Sequence, residues 1–504
     1  MDNIVHRTLS NAAWGFISYV WPICFAIFIT PIVVSAMGIH VYGIYVFINT
    51  ILSFLGLLEF GLSTAISKYL AQYIGAQDND KIRILSGTAM TIFTVIGLIG
   101  GSIFMIGAIL THTLPVLQNY SQYSIGLISA GILFLLSAIN SLYSIAFTSL
   151  QRIDTGSKVG MVFMTVQQIS ILGLILTGYT INAIFFVLAI IAFFSLLISR
   201  RITTRMLPEL RVSLSWNLEE FQKYYKFGII TFFNNIATVS LTYLDRLFIP
   251  FFLGPSSLTY YSLPGNVTTR IPGISNSLSA ILFPMSSSLS GSGDLEMLKR
   301  LYVRSFRLIT VVSAAVSVTV ISFAYDILAF WISPDLARTS EYVLVILAMT
   351  NFILALGGPL SNFLLGLGKL RFLTVSSIVM ALINLVSLLI LLPIAGINGA
   401  AWAYLVSVLP IAFMFFYTEK HYLALSERRR YYKRTILGNI LVGGTVFIVA
   451  HYALRYIIHD LFSLLAMGAL SGILYIALYW ASGFFEQEDV ASMKQFFKKI
   501  LKLT

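Results

Sequence analysis

Ionisable side chains are scarce in this chain: Asp, Glu, Lys and Arg make up 10% of its 504 residues. Soluble domains carry about 25%, so a fully water-solvated surface is excluded. Cysteine occurs once, as Cys24 inside an apolar run, which excludes a disulfide framework and a Cys-based metal site. His6, His40, His112, His421, His451 and His459 show no ligand spacing with one another, and no P-loop is present. No metal or other cofactor is therefore expected, and ATP hydrolysis is not the energy source. Long polar loops are missing too. The longest outside connections, about 111–122 and 332–341, leave no room for an extracytoplasmic catalytic domain, so the chain is not expected to be an enzyme.

Apolar residues fill the space that charge leaves. They form 58% of the sequence, and the mean hydropathy is +0.88. Runs long enough to span a bilayer lie at about 10–37, 42–70, 82–110, 123–149, 159–177 and 182–199. Eight more lie at 227–253, 259–289, 305–331, 342–365, 372–392, 398–417, 435–456 and 461–484. The first run is too long for a cleaved signal peptide and reads as a spanning helix. The expected fold is an all-α polytopic membrane protein of about 14 transmembrane helices, two parallel six-helix lobes plus two C-terminal helices.

Basic residues set the orientation. With the N-terminus inside, 28 of the 32 Lys and Arg fall in cytoplasmic segments, and outside loops receive only Arg338 and Arg455. That bias places both termini in the cytoplasm. The net charge of +12 then reads as topology plus attraction to anionic membrane lipids, not as nucleic-acid binding. Five parts follow: an N-terminal lobe, 1–206; a cytoplasmic interfacial linker, 207–226; a C-terminal lobe, 227–422; two additional helices, 423–484; and a basic amphipathic tail, 485–504. In the linker, Asn217 suits an N-cap with Glu219 and Glu220 in the first turn, and Leu218, Phe221 and Tyr225 would share the face of an interfacial helix.

A shift of 216 positions brings the two lobes into register: Gly38 lands on Gly254, Tyr45 on Tyr261, Asp78 on Asp294, Asp80 on Glu296 and Arg83 on Lys299. Ile181 and Asn182 land on Ile397 and Asn398. Because six spans separate the copies, the repeats are parallel. Transporters with this symmetry hold substrate between lobes.

Four ionisable residues lie inside the runs: Glu59, Asp245, Arg246 and Arg270. Each is costly in lipid unless it faces protein, water or ligand. None obeys the repeat, since their counterparts are Ser275, Ile29, Thr30 and Phe54. At 1.5 Å per residue, Arg270 and Asp245 lie roughly 16 and 12 Å from the outer ends of their helices. Two readings stay open: an ion pair pinning adjacent helices, or an anion contact at Arg270 with Asp245 orienting it or answering to protons. Arg246 points about 100° away from Asp245 and is a second anion contact. Glu59, about 26 Å from the outer end, is a coupling carboxylate or a hydrogen-bond partner for a neighbouring helix. Lys68 snorkels to the inner interface or first meets an incoming anion. Trp14, Trp331, Trp402 and Trp480 read as interfacial anchors, and Trp21 as packing or a sugar-stacking ring. Pro264, Gly265, Pro272, Gly273 and Pro284 should kink or locally unwind the eighth span.

The run LDRLFIPFFLGPSSLTYY, residues 244–261, with LFPMSS at 282–287 and MGIHVYGIYVFINTILSFLGLLEFGLSTAISKYLA at 37–71, resembles the lipid-linked oligosaccharide (O-antigen unit) flippases. These belong to the multidrug, oligosaccharidyl-lipid and polysaccharide exporter superfamily. The resemblance implies alternating access in the bacterial inner membrane. Its implied substrate is an undecaprenyl-diphosphate-linked glycan, moved from the cytoplasmic to the periplasmic leaflet, with other glycan-assembly membrane proteins as partners. Glu59 and Lys68 stand where that family usually has Asp and Arg. Arginine suits pyrophosphate because its fork makes two parallel hydrogen bonds and stays charged. Rival readings are a drug or organic-cation antiporter, which would want a surplus of buried acid, and a lipid II exporter. A membrane-embedded glycan polymerase or ligase would need acidic metal motifs or a large soluble loop.

Overall fold

The computed structural model describes residues 2–210, 214–279, 282–292, 294–423 and 428–485. Helix dominates and no strand occurs among them, as apolar runs require where lipid leaves backbone amides no other partner. The basic tail, 486–504, and residues 211–213 of the linker lie outside the described residues.

Two compact units divide the chain, Met1–Thr259 and Tyr260–Thr504. The first holds α1 (Asp2–Leu55), α2 (Leu62–Gly75), α3 (Asn79–Thr113), α4 (Ser124–Ser149), α5 (Ile153–Leu176), α6 (Ile181–Met206), α7 (Leu218–Leu253) and the start of α8 (Pro255–Thr268). The second holds the rest of α8, then α9 (Arg270–Ser279), α10 (Leu282–Ser292), α11 (Leu295–Ser322), α12 (Ala324–Trp331) and α13 (Pro334–Gly366). It closes with α14 (Leu370–Val408), α15 (Pro410–His421), α16 (Arg428–Val449) and α17 (Leu461–Ala481).

Among the described residues, eleven helical segments are long and apolar enough to cross a membrane. The fourteen expected spans reduce to these for local reasons. The first two run together through Gly38, and the eleventh and twelfth through Gly396, each a kink inside one continuous helical assignment. The eighth is interrupted between α8 and α9, where Pro272 cannot donate, and residues 280–281, between α9 and α10, lie outside the described residues. Two further expectations are corrected. The second span stops being α-helix at a 3-10 turn, Gly56–Glu59, followed by left-handed Phe60 (φ 48°) and Gly61 (φ 70°). The linker is no separate interfacial helix: Asn217 caps α7, which continues unbroken from Leu218 to Leu253.

The repeat is visible in backbone detail. Gly38 (φ 75°, ψ 160°) and Gly254 (φ 81°, ψ 166°) adopt one conformation that a Cβ would strain. Asp78 and Asp294 cap α3 and α11 in the same way, accepting the amides of Lys81 and Met297 at 3.1 and 3.0 Å. In the first unit the core gathers Leu62, Ile66, Leu85, Phe93, Leu142 and Tyr224 around α2, α3, α4 and α7. In the second, Val311, Val446, Tyr475 and Tyr479 join α11, α16 and α17, while Ile271, Ala348 and Ala355 seat α9 on α13.

Candidate functional site

Arg270 stands where the eighth span breaks. Pro272 has no N–H to return to the Thr268 carbonyl, so α8 ends at Thr268 and Arg270 opens α9. Asn351 of α13, itself 1% exposed, donates from Nδ2 to Thr268 Oγ1 at 3.1 Å and holds the break in place. Arg270 is half-buried. Within its own unit it makes no hydrogen bond or ion pair among the described residues. A guanidinium at a helix N-terminus adds its charge to the positive end of the helix dipole, and both favour an anion.

Asp245 and Arg246 lie on α7 of the first unit. Asp245 is 2% exposed, and its Oδ1 accepts the Arg246 backbone N–H at 2.9 Å. The half-buried Arg246 guanidinium lies 5.8 Å from the Tyr243 ring centroid and within electrostatic reach of Tyr42. Arg270, the expected neighbour of Asp245, belongs to the second unit.

Glu59 sits in the 3-10 turn that interrupts the second span. Ser63 donates to it from the next turn, and Ser141 of α4 donates to its Oε1 at 3.2 Å. Lys68 is exposed, with its ammonium 4.2 Å from the Phe227 ring centroid and 5.2 Å from that of Tyr69. Trp21 donates its indole N–H to Thr165 Oγ1 at 2.9 Å, pinning α1 to α5.

Several buried charges escaped the sequence reading. Asp326 is 7% exposed on α12, and its Oδ2 lies 2.9 Å from Arg455 Nε, within ion-pair distance though without hydrogen-bond alignment. It lies inside an expected span and was legible as a fifth buried charge. Glu419 and Arg307 are 0% and 3% exposed, with Tyr302 donating to Glu419 Oε1 at 3.2 Å. Both fall at span ends, where sequence places charge in water. Glu220, in the first turn of α7, is 6% exposed and takes hydrogen bonds from Tyr73, Lys223 and Tyr224. No group of three or more His, Cys, Asp or Glu among the described residues is placed to hold a metal ion.

Each unit holds a partly open cavity. In the second, about 850 Å³ lies among α11, α13, α15 and α16, with mostly apolar walls and Glu419 among its lining residues. In the first, about 460 Å³ lies among α1, α4, α5 and α6, and its walls are rich in hydroxyls.

A family model described as "Polysaccharide biosynthesis protein" matches residues 37–335. A putative O-antigen transporter of Shigella flexneri is 20% identical over 369 residues, covering 72% of this chain and 85% of the relative. The probable flippase AglR of Haloferax volcanii is 21% identical over 402 residues, covering 75% and 76%. Among solved structures, the lipid II flippase MurJ in an inward closed conformation aligns with a TM-score of 0.66 at 11% identity, over 96% of this chain and all of that one. An inward-facing multidrug resistance MATE family transporter of the MOP superfamily aligns at 0.57 and 13%, over 82% and 98%. At these identities the structural likeness shows the fold.

Proposed function

The chain belongs to the polysaccharide biosynthesis protein family, and from that membership we propose a flippase that moves undecaprenyl-diphosphate-linked oligosaccharide, an O-antigen or related repeat unit, to the periplasmic leaflet. The observation that carries this reading is the match to a putative O-antigen transporter and a probable flippase over about three quarters of the chain. The protein is a multi-span membrane protein. Its proposed site is the bacterial inner membrane, with both termini cytoplasmic, and it works by alternating access without enzymatic chemistry.

Charge supplies the mechanism. Moving a single unpaired ion into a low-dielectric interior costs of order 20 kcal/mol before relaxation, so the pyrophosphate needs a cation where the lipid ends. Arg270, at the opened start of α9, is the principal anion contact. Arg246 is the second, and exposed Lys68 makes the first encounter. Asp245 fixes the local backbone of Arg246. Glu59 is a hydrogen-bonded post between the second span and α4. Each negative charge leaving an inside-negative cell gains about 2.3 kcal/mol per 100 mV, so outward movement needs no ATP.

The test is deletion of the gene. Lipid-linked repeat units should accumulate in the cytoplasmic leaflet and surface glycan should fall. Unchanged surface glycan, with no accumulation, overturns the reading.

A further inference from the structure

We infer that the cavity of the first unit is a binding site for an uncharged sugar ring, the glycan end of the proposed cargo. The inference rests on the flippase reading for its cargo and on the cavity for its chemistry. Asn140, Ser144 and Thr148 reach it from α4, Ser157 from α5, and Ser195 and Ser199 from α6. Among the described residues no ionisable side chain lines it. It therefore fits neither a pyrophosphate nor a cation.

Two observations separate a built site from ordinary packing. Serines buried in membrane helices normally return their hydroxyls to the carbonyl three or four residues back, as Thr148 does to Ile145. Ser144, Ser157, Ser195 and Ser199 make no side-chain hydrogen bond among the described residues. Asn140 Oδ1 is buried and equally unpartnered. Ser199, 2% exposed, and Asn140 Oδ1 are the buried members of this set, and buried polar groups left this way in a membrane protein are costly unless a polar ligand or water answers them; the other three hydroxyls are open to a ligand.

The second observation is the repeat. Adding 216 carries Asn140, Ser144 and Thr148 onto Leu356, Leu360 and Leu364, and Ser157, Ser195 and Ser199 onto Leu373, Ile411 and Phe415. Of the seven polar lining positions, only Ser18, whose counterpart is Asn234, is polar in the other copy, so the fold itself does not require the other six to be polar.

Size and shape agree with a sugar. About 460 Å³ falls within the range of small-molecule sites, roughly 300–1,000 Å³. Pro22, Phe147, Met161 and Met164 supply apolar walls for the C–H faces of a pyranose, while the hydroxyls and amide meet its rim. From Ile153 to Met164 the lining descends α5 by roughly 16 Å. On the proposed orientation this is the cytoplasmic half of the membrane, the side from which cargo enters.

The test uses the purified full chain in lipid nanodiscs, titrated calorimetrically with methyl glycosides of a hexose, an N-acetylhexosamine and a 6-deoxyhexose, and with inorganic pyrophosphate. At least one glycoside should bind saturably, and pyrophosphate should not compete with it. Asn140→Leu and Ser144→Leu, each carrying its repeat counterpart, should weaken that binding by about tenfold or more, the scale of one or two lost hydrogen bonds. Melting temperatures are read alongside; should either variant melt early, Ser157→Ala and Ser195→Ala take its place. No saturable glycoside, or affinity untouched by every variant, overturns the site. Export of lipid-linked glycan without glycoside binding sinks the site alone. Glycoside binding by a protein whose deletion leaves lipid-linked glycan unchanged sinks the flippase reading and keeps the site.

Discussion

His40 Nδ1 lies 3.4 Å from Ser256 Oγ, and the two residues are 216 positions apart, the offset of the internal repeat. A residue thus meets its own counterpart. The contacts on either side are reciprocal, as in an isologous interface. Thr259 Oγ1 donates to the Ile39 carbonyl at 2.7 Å. The counterparts of those two residues are Gly43 and Pro255, which also meet: a Cβ on Gly43 would lie 2.0 Å from the Pro255 carbonyl oxygen. One copy makes the contact with a hydroxyl, and the other makes it by having no side chain.

Gly43→Ala should therefore destabilise the protein by about 1–3 kcal/mol, the usual cost of overpacking, because the obstructing atom is backbone and cannot swing aside. His40→Ala, at an exposed position, should change little. Thermal melting in detergent measures both, and a Gly43→Ala protein as stable as the parent refutes the close approach. In a Cys24→Ala background, which removes the sole cysteine, His40→Cys with Ser256→Cys should be joined by a short bis-thiol linker. Failure to crosslink counts against the contact.

Glu220 gives a pH dependence. Burial pushes its pKa up, but hydrogen bonds from Lys223, Tyr224 and Tyr73 outweigh burial and hold the carboxyl below its usual range. Burial, followed by the Glu220 charge, raises the Tyr73 hydroxyl to about 12, so it stays a donor. For a depressed carboxyl, the stabilisation is complete above the unfolded value, about 4.3, and is lost as pH falls through the folded value. The wild-type melting temperature should drop on acidification below about pH 4, and Glu220→Gln should flatten that drop. Tyr73→Phe should cost about 1.5–3 kcal/mol at neutral pH, the range for a hydrogen bond to a charged group. An acid limb unchanged by Glu220→Gln assigns it to other carboxylates.

What could be read in advance follows from how local its cause is. The caps at Asp78, Asp294 and Asn217 are set by a side chain and an amide three residues on, so the sequence carries them. The break of the eighth span is likewise written in Pro272, which cannot donate. The interruption at Glu59 was not legible, because Gly56 and Gly61 in an apolar run are compatible with helix; α7 packs close there, with the Phe60 and Phe232 ring centroids 4.7 Å apart at a tilted angle. The polar cavity among α1, α4, α5 and α6 was not legible either. Its serines are scattered across 18–199 and converge only when four helices pack.

Glu59 separates coupling from scaffolding. Ser63 donates to its Oε2 and Ser141 to its Oε1; in a glutamine Ser63 can keep the amide oxygen while Ser141 accepts from the amide NH2 and donates to the Ser137 carbonyl, which already lies within its reach. Glu59→Gln should therefore keep export near the parental level, whereas Glu59→Leu, which removes that partner from both hydroxyls, should lower stability by about 1–3 kcal/mol. Surface glycan at matched expression reads the first effect and thermal melting the second. A folded Glu59→Gln protein that exports nothing would make the ionised carboxylate part of the transport cycle.

Arg270 carries the sharpest expectation. It opens α9 behind a proline-made break that Asn351 pins through Thr268, so its backbone is fixed while its guanidinium makes no hydrogen bond or ion pair among the described residues of its unit. Arg270→Ala removes the cation from the helix start and should abolish export, with lipid-linked repeat units accumulating. Arg270→Lys restores a point charge without the fork that grips two phosphate oxygens, and should recover part of the flux. Arg246→Ala should cost less, because that guanidinium is already engaged beside Tyr243. The comparison needs equal amounts of each protein in the membrane. Full export by Arg270→Ala removes Arg270 from the anion path, and equal export by the Lys and Ala variants shows that charge at this position is not what the cargo meets.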